Sequence, residues 1–129
     1  TVESAFKWAK HPERVRVAVV DQIMDGEDVV CNEPIEPCED NPEQALCKYK
    51  DRVDVYEMEA QLSIGPVFAR HIGNRMYRGE YYITQSDAHV TFTKHWDDDI
   101  IRQMESTHDE MAVLSTYLTD IQGSIDAAG

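Results

Sequence analysis

Positive charge is scarce in this chain. Twelve Lys and Arg stand against 25 Asp and Glu in 129 residues, and the net charge is −13. A surface that acidic repels phosphate backbones and anionic lipid, so no nucleic-acid partner and no basic membrane-surface patch is expected. Long apolar runs are missing as well. No stretch approaches the roughly 20 residues that cross a bilayer, so no membrane segment is expected within this chain. The opening reads as an amphipathic helix and not as a basic-then-apolar leader, so no signal peptide is expected. Thr1 is not Met, and the chain is expected to be a piece of a longer protein. G-x-S-x-G, the P-loop, G-x-G-x-x-G and H-E-x-x-H do not occur. Cysteines number only three, Cys31, Cys38 and Cys47. An odd count excludes a complete internal disulfide framework, leaving one disulfide with a free thiol or three thiols. Their spacing is not that of a Cys-x2–4-Cys zinc knuckle.

What is present suffices for one domain at most, with 42% apolar residues to build a core. Residues 2–9 predict a helix with Val2, Phe6 and Ala9 on one face, widened by Ala5 and Trp8 and stopped by Pro12. Val15–Val20 is a β-branched run that predicts a buried strand of the parallel-sheet kind. Periodicity is then lost over 21–50, a long acidic loop that holds Pro34, Pro37, Pro42 and all three cysteines. Arg52–Met58 alternates as a strand does. Gly65-Pro66 opens a helix, since Pro suits the first helical position. Phe68, Ile72 and Met76 form its apolar stripe, with Ala69 and Gly73 beside them and Gly79 as the expected C-terminal cap. Tyr81–Gln85 predicts a second buried strand, with Val90–Phe92 continuing it or pairing nearby. A further helix starts near Trp96, with Asp97 as the expected N-cap and Ile100, Ile101 and Met104 facing inward. Ala112–Leu118 predicts another strand. Helices alternating with strands imply an α/β fold with a mostly parallel sheet flanked by helices. Ligands of such sheets bind beyond the carboxyl ends of strands, here after Val20, Met58, Gln85 and Leu118.

Chemistry-bearing residues follow the Tyr81–Gln85 segment. Asp87 and His89 are two apart, so in extended chain they point to one side, about 7 Å apart along the strand. A slight bend brings a carboxylate oxygen and an imidazole nitrogen onto one divalent ion. The competing reading is a strand-end Asp capping a turn beside a surface His. Arg70 and Arg78 bracket the Gly65-Pro66 helix, either as solvated charges, with Glu80 as a salt-bridge partner, or as guanidinium forks for anions. The Asp97-Asp98-Asp99 run reads as a helix start, and Trp96 as core or as the wall of a pocket. His71, His95 and His108 read as surface residues.

The order Gly65, Pro66, Ala69, Arg70, Arg78, Gly79, Glu80, Tyr82, Asp87, His89, Phe92, Trp96, Asp97 resembles the core of a GT-A glycosyltransferase family, that of the hydroxyproline-type polypeptide N-acetylglucosaminyltransferases. The segments VAVVDQ and AVLSTYL are also similar to it. The polypeptide GalNAc-transferases resemble it more distantly, through the Ala-Arg helix and the Asp-x-His motif. Ser86 and Ala88 depart mildly from the usual residues there. The resemblance implies a GT-A (Rossmann-like) nucleotide-sugar transferase fold, incomplete here, with residues 1–129 as part of the catalytic domain. A uridine-contacting strand would precede Thr1, and the acceptor half and a further metal ligand would follow Gly129. It implies metal-dependent transfer of N-acetylglucosamine, with retention of configuration, from UDP-GlcNAc to a hydroxyl acceptor on protein or glycan. Asp87 and His89 would hold Mn²⁺ or Mg²⁺. Asp87, Arg70 and Asp97 would be catalytic, and Arg70, Asp87 and Trp96 would bind the donor. Location stays open between the cytoplasm and the Golgi membrane, the latter through an anchor outside this chain. Two other readings are a non-catalytic module that binds nucleotide sugar or metal, and an acidic protein-interaction domain whose cysteine loop is the contact.

Overall fold

A computed structural model describes residues 1–24, 26–116, 118–119 and 122–123. The chain divides into two compact units, Thr1–Val15 with Ser86–Gly129, and Arg16–Gln85.

The Arg16–Gln85 unit is built on strands β1 (Val17–Ile23) and β2 (Val53–Glu59), which pair in parallel from Val17–Val53 to Ile23–Glu59. Parallel pairing requires a long crossover, and residues 24–52 supply it. That stretch ends in a short helix, α1 (Ala45–Lys48), and a 3₁₀ turn, Lys50–Arg52. Cys38 and Cys47 are joined in a disulfide with Cα atoms 5.6 Å apart, and Cys31 is an exposed free thiol. Of the two cysteine arrangements the sequence permits, the structure has the first. Gln44, almost buried, donates to the carbonyls of Glu36 (2.6 Å) and Asn41 (3.0 Å), and Ala45 beside it is buried.

A 3₁₀ turn, Ala60–Leu62, leads from β2 to helix α2 (Pro66–Arg75). Its N-cap, Gly65, has φ +103° and ψ 173°, a region open essentially to glycine alone. Pro66 then occupies the first turn, as the sequence predicts. The helix packs on β1, where a methyl added at Gly73 would lie 3.7 Å from Val20 Cγ2. It ends at Arg75 with Met76 as C-cap, whose N–H donates to the Gly73 carbonyl at 3.0 Å, and the Tyr77 N–H reaches the Asn74 carbonyl at 3.4 Å. Gly79 is therefore not the cap; it lies beyond the helix at φ +105°. Tyr81–Gln85 corrects a second expectation. The segment forms no strand, and all five residues are exposed. Strand propensity expresses fit to a pleated, half-buried surface, and no described strand pairs with this segment.

In the other unit, helix α3 (Val2–Lys7) buries Ala5 and Phe6 and closes with the Trp8 N–H on the Ser4 carbonyl. Helix α4 (Trp96–Ser106) leaves Ile100, Ile101 and Met104 half-buried, in line with the expected inward stripe. Its N-cap is His95, held at φ 59°, and not Asp97, which sits one position inside the helix. Ala112–Leu118 is not a strand among its described residues, and Tyr117 lies outside them.

Candidate functional site

Asp87 and His89 flank Ala88 in a tight turn, Ala88–His89, and both side chains are exposed. The turn is held by residues from the far end of the sequence. The Thr1 hydroxyl donates to the Ala88 carbonyl and accepts the Val90 N–H at 3.1 Å. The Ser4 hydroxyl donates to the Thr1 carbonyl at 2.9 Å and accepts the Phe92 N–H at 3.1 Å. Thr1 is the N-cap residue of α3, yet its side chain makes no cap bond to that helix. Its oxygen serves the turn instead.

Just beyond, the Phe92 and Trp96 rings meet at a 40° tilt with centroids 4.3 Å apart, and Trp96 Nε1 donates to the Ala5 carbonyl at 2.9 Å. Asp97 accepts the backbone N–H of Lys10 on Oδ1 (2.7 Å) and that of His11 on Oδ2 (2.8 Å). Burial pushes the Asp97 carboxyl up. The N–H groups of Lys10, His11, Asp98 and Asp97 itself outweigh that and hold it below its ordinary value. Lys10 Nζ adds a surface ion pair to Asp98 at 3.0 Å. Trp96 thus holds α3 itself and Asp97 the chain that follows it, roles their spacing in the sequence does not reveal.

In the Arg16–Gln85 unit, Arg70 lies exposed midway along α2. The Arg78 guanidinium takes Asp54 as its ion-pair partner. It donates to Asp54 Oδ1 at 2.7 Å, while Arg16 takes Asp54 Oδ2 at 2.7 Å. Glu80 accepts the Arg78 backbone N–H at 2.9 Å, and its carboxyl lies below the ordinary range chiefly for that reason. The carboxyl ends of both strands carry an open cavity of about 270 Å³ lined by Ile23, Glu57, Met58 and Glu59, at the end of a parallel sheet where ligands bind. Nearby, Asp21 is nearly buried and accepts the Cys31 N–H at 2.7 Å. Desolvation of the sulfur, then the hydrogen bond and charge of Asp21, push the Cys31 thiol up to about 11.

The structure therefore leaves Asp87 and His89 exposed at the Ala88–His89 turn and places Trp96 and Asp97 at the start of α4, and Arg70 belongs to the Arg16–Gln85 unit. Among the described residues no group of three or more His, Cys, Asp or Glu is arranged to hold a metal. One carboxylate and one imidazole suit an ion that fills its remaining positions with phosphate oxygens and water, and not a closed structural site. Sequence reasoning missed Thr1, Ser4 and Asp54. Hydroxyls three apart at a helix start are a visible signal, but an ordinary capping one.

No curated protein matches this chain, and no solved structure matches it. A family model described as Glycosyltransferase (GlcNAc) matches residues 24–126, most of the chain and the whole Asp87–His89 turn. On that match the chain belongs to the Glycosyltransferase (GlcNAc) family, which makes it a glycosyltransferase.

Proposed function

We propose that this chain is the metal- and donor-binding part of a GT-A catalytic domain that transfers N-acetylglucosamine from UDP-GlcNAc to a hydroxyl acceptor. The observation that carries the reading is the family match across the segment that holds Asp87 and His89, both of them exposed. Asp87 supplies a hard oxygen donor and His89 a nitrogen donor, a pair suited to Mn²⁺ or Mg²⁺. When bound, such an ion supplies Lewis-acid neutralisation of the charge on departing UDP. Trp96 and Asp97 act as positioning residues, because the indole N–H and both carboxylate oxygens hold backbone. The role proposed for Arg70 is to grip an anionic group of the donor with its planar fork. The motif order resembles that of hydroxyproline-type enzymes, so a protein hydroxyl is the acceptor class to try before glycan hydroxyls.

The Cys38–Cys47 disulfide bears on location. Disulfides persist in oxidising compartments, which favours the lumen of the secretory pathway over the cytoplasm.

Calorimetric titration of UDP-GlcNAc into the chain, with Mn²⁺ and then with EDTA, tests the reading. Binding that requires Mn²⁺ is expected, with UDP-GalNAc weaker. Binding of the same strength in EDTA would refute the metal role, and an equal preference for UDP-GalNAc would refute the donor assignment.

A further inference from the structure

We propose that the Thr1 and Ser4 hydroxyls are positioning residues that set the geometry of the Asp87–His89 pair. The inference rests on the reading of those two residues as metal ligands. His89 lies between two backbone groups that one oxygen holds. The Ala88 carbonyl before it accepts from the Thr1 hydroxyl, and the Val90 N–H after it donates to that same hydroxyl. Ser4 extends the clamp by two residues, taking the Phe92 N–H while anchoring the Thr1 carbonyl. The two hydroxyls stand three apart at the start of α3, so the helix fixes their separation. That separation matches the alternate N–H groups of Val90 and Phe92.

The consequence is chemical. Two donors two residues apart share one stretch of backbone, so the backbone of the turn decides whether oxygen and nitrogen converge on one ion. Residues that orient ligands in this way are worth roughly 10–100-fold in metal affinity when removed. The Thr1 and Ser4 hydroxyls bond backbone groups of the turn. They act through the turn.

The test uses the 129-residue chain, with Mn²⁺ alone as probe. A chain of net charge −13 gathers cations generally, so binding is read at the site, as paramagnetic broadening of the His89 ring and Val90 amide resonances. Thr1→Val keeps the shape and removes the hydroxyl. It is expected to raise the Mn²⁺ concentration for half-broadening about tenfold and to speed Val90 amide exchange, while Thr1→Ser restores both. Ser4→Ala is expected to speed Phe92 exchange with a smaller loss of affinity. Lys10→Met, which removes the ion pair to Asp98 and one exposed positive charge, controls for general loosening and should not raise the Mn²⁺ concentration for half-broadening at His89. If the unaltered chain shows Asp87-dependent broadening and Thr1→Val leaves it unchanged, the positioning role is overturned and the metal site stands. If the unaltered chain shows no Asp87-dependent broadening, the metal reading falls and takes this inference with it.

Discussion

Each of the two units has its own kind of internal bonding. Arg16–Gln85 rests on a backbone ladder: β1 and β2 pair residue for residue, α2 lies on β1, and a disulfide closes the crossover. Thr1–Val15 with Ser86–Gly129 has no strand among its described residues. Side chains there take the part of a ladder, with Thr1, Ser4, Trp96 and Asp97 each bonded to backbone far away in sequence. A ladder survives most side-chain changes because its bonds are main-chain. An arrangement of single side chains on backbone does not, since each loss strands a donor or acceptor. The candidate metal turn belongs to the second kind. Its geometry is therefore specified by a few replaceable residues, which is where a binding site can be tuned.

Reducing the Cys38–Cys47 bond challenges the ladder side of the comparison. A closed loop of this size is worth about 3 kcal/mol in the chain-entropy account. Reduction should lower the denaturant midpoint read by amide exchange in β1 and β2. Unchanged strand protection would mean that the crossover contributes nothing to the sheet.

Asp97→Ala challenges the other side. It strands the Lys10 and His11 N–H groups and is expected to cost about 2 kcal/mol. Trp8 and Trp96 are the only two tryptophans and both lie in that unit, so indole fluorescence reports the loss. The folded Asp97 carboxyl lies below its ordinary 3.8. Its contribution is accordingly complete above that value and fades as pH falls through the folded one. Stability of the unaltered chain should drop on the acid side of about pH 4, and Asp97→Ala should flatten that limb. Equal responses of fluorescence and strand exchange to both changes would dissolve the distinction between the units.

The smallest effect has the opposite sign. Gly73→Ala places a methyl in ordinary contact with Val20 and improves helix propensity by about 1 kcal/mol. Thermal unfolding should move upward. A downward shift would mean that α2 approaches β1 more closely than the 3.7 Å contact indicates.

Features encoded locally were legible in the sequence. The β-branched run ending at Val20 marks β1, though the strand extends to Ile23, and the alternation from Arg52 marks β2 within a residue. Gly65-Pro66 and Trp96 both open helices. The parallel direction also follows, because no hairpin links the strands. Features that depend on distant partners were not legible. Tyr81–Gln85 and Ala112–Leu118 have the composition of strands but lack a described neighbour to pair with. Asp97 reads as a helix cap, yet its partners lie 86 and 87 positions away. Asp54 draws arginines from 38 positions before it and 24 after, and no local pattern announces that. For the site, the Asp-x-His pair was visible as a motif. The hydroxyls that hold its backbone were not, because Thr1 and Ser4 look like ordinary helix-start residues.

The central claim is that Asp87 makes donor binding depend on metal. Its most direct test is the UDP-GlcNAc titration with Mn²⁺, run on the unaltered chain and on Asp87→Ala, with a folded mutant verified by circular dichroism. The account predicts Mn²⁺-dependent heat in the first and a loss of more than about tenfold in affinity in the second. Equal Mn²⁺-dependent binding in both would contradict it and move the metal away from the Asp87–His89 turn.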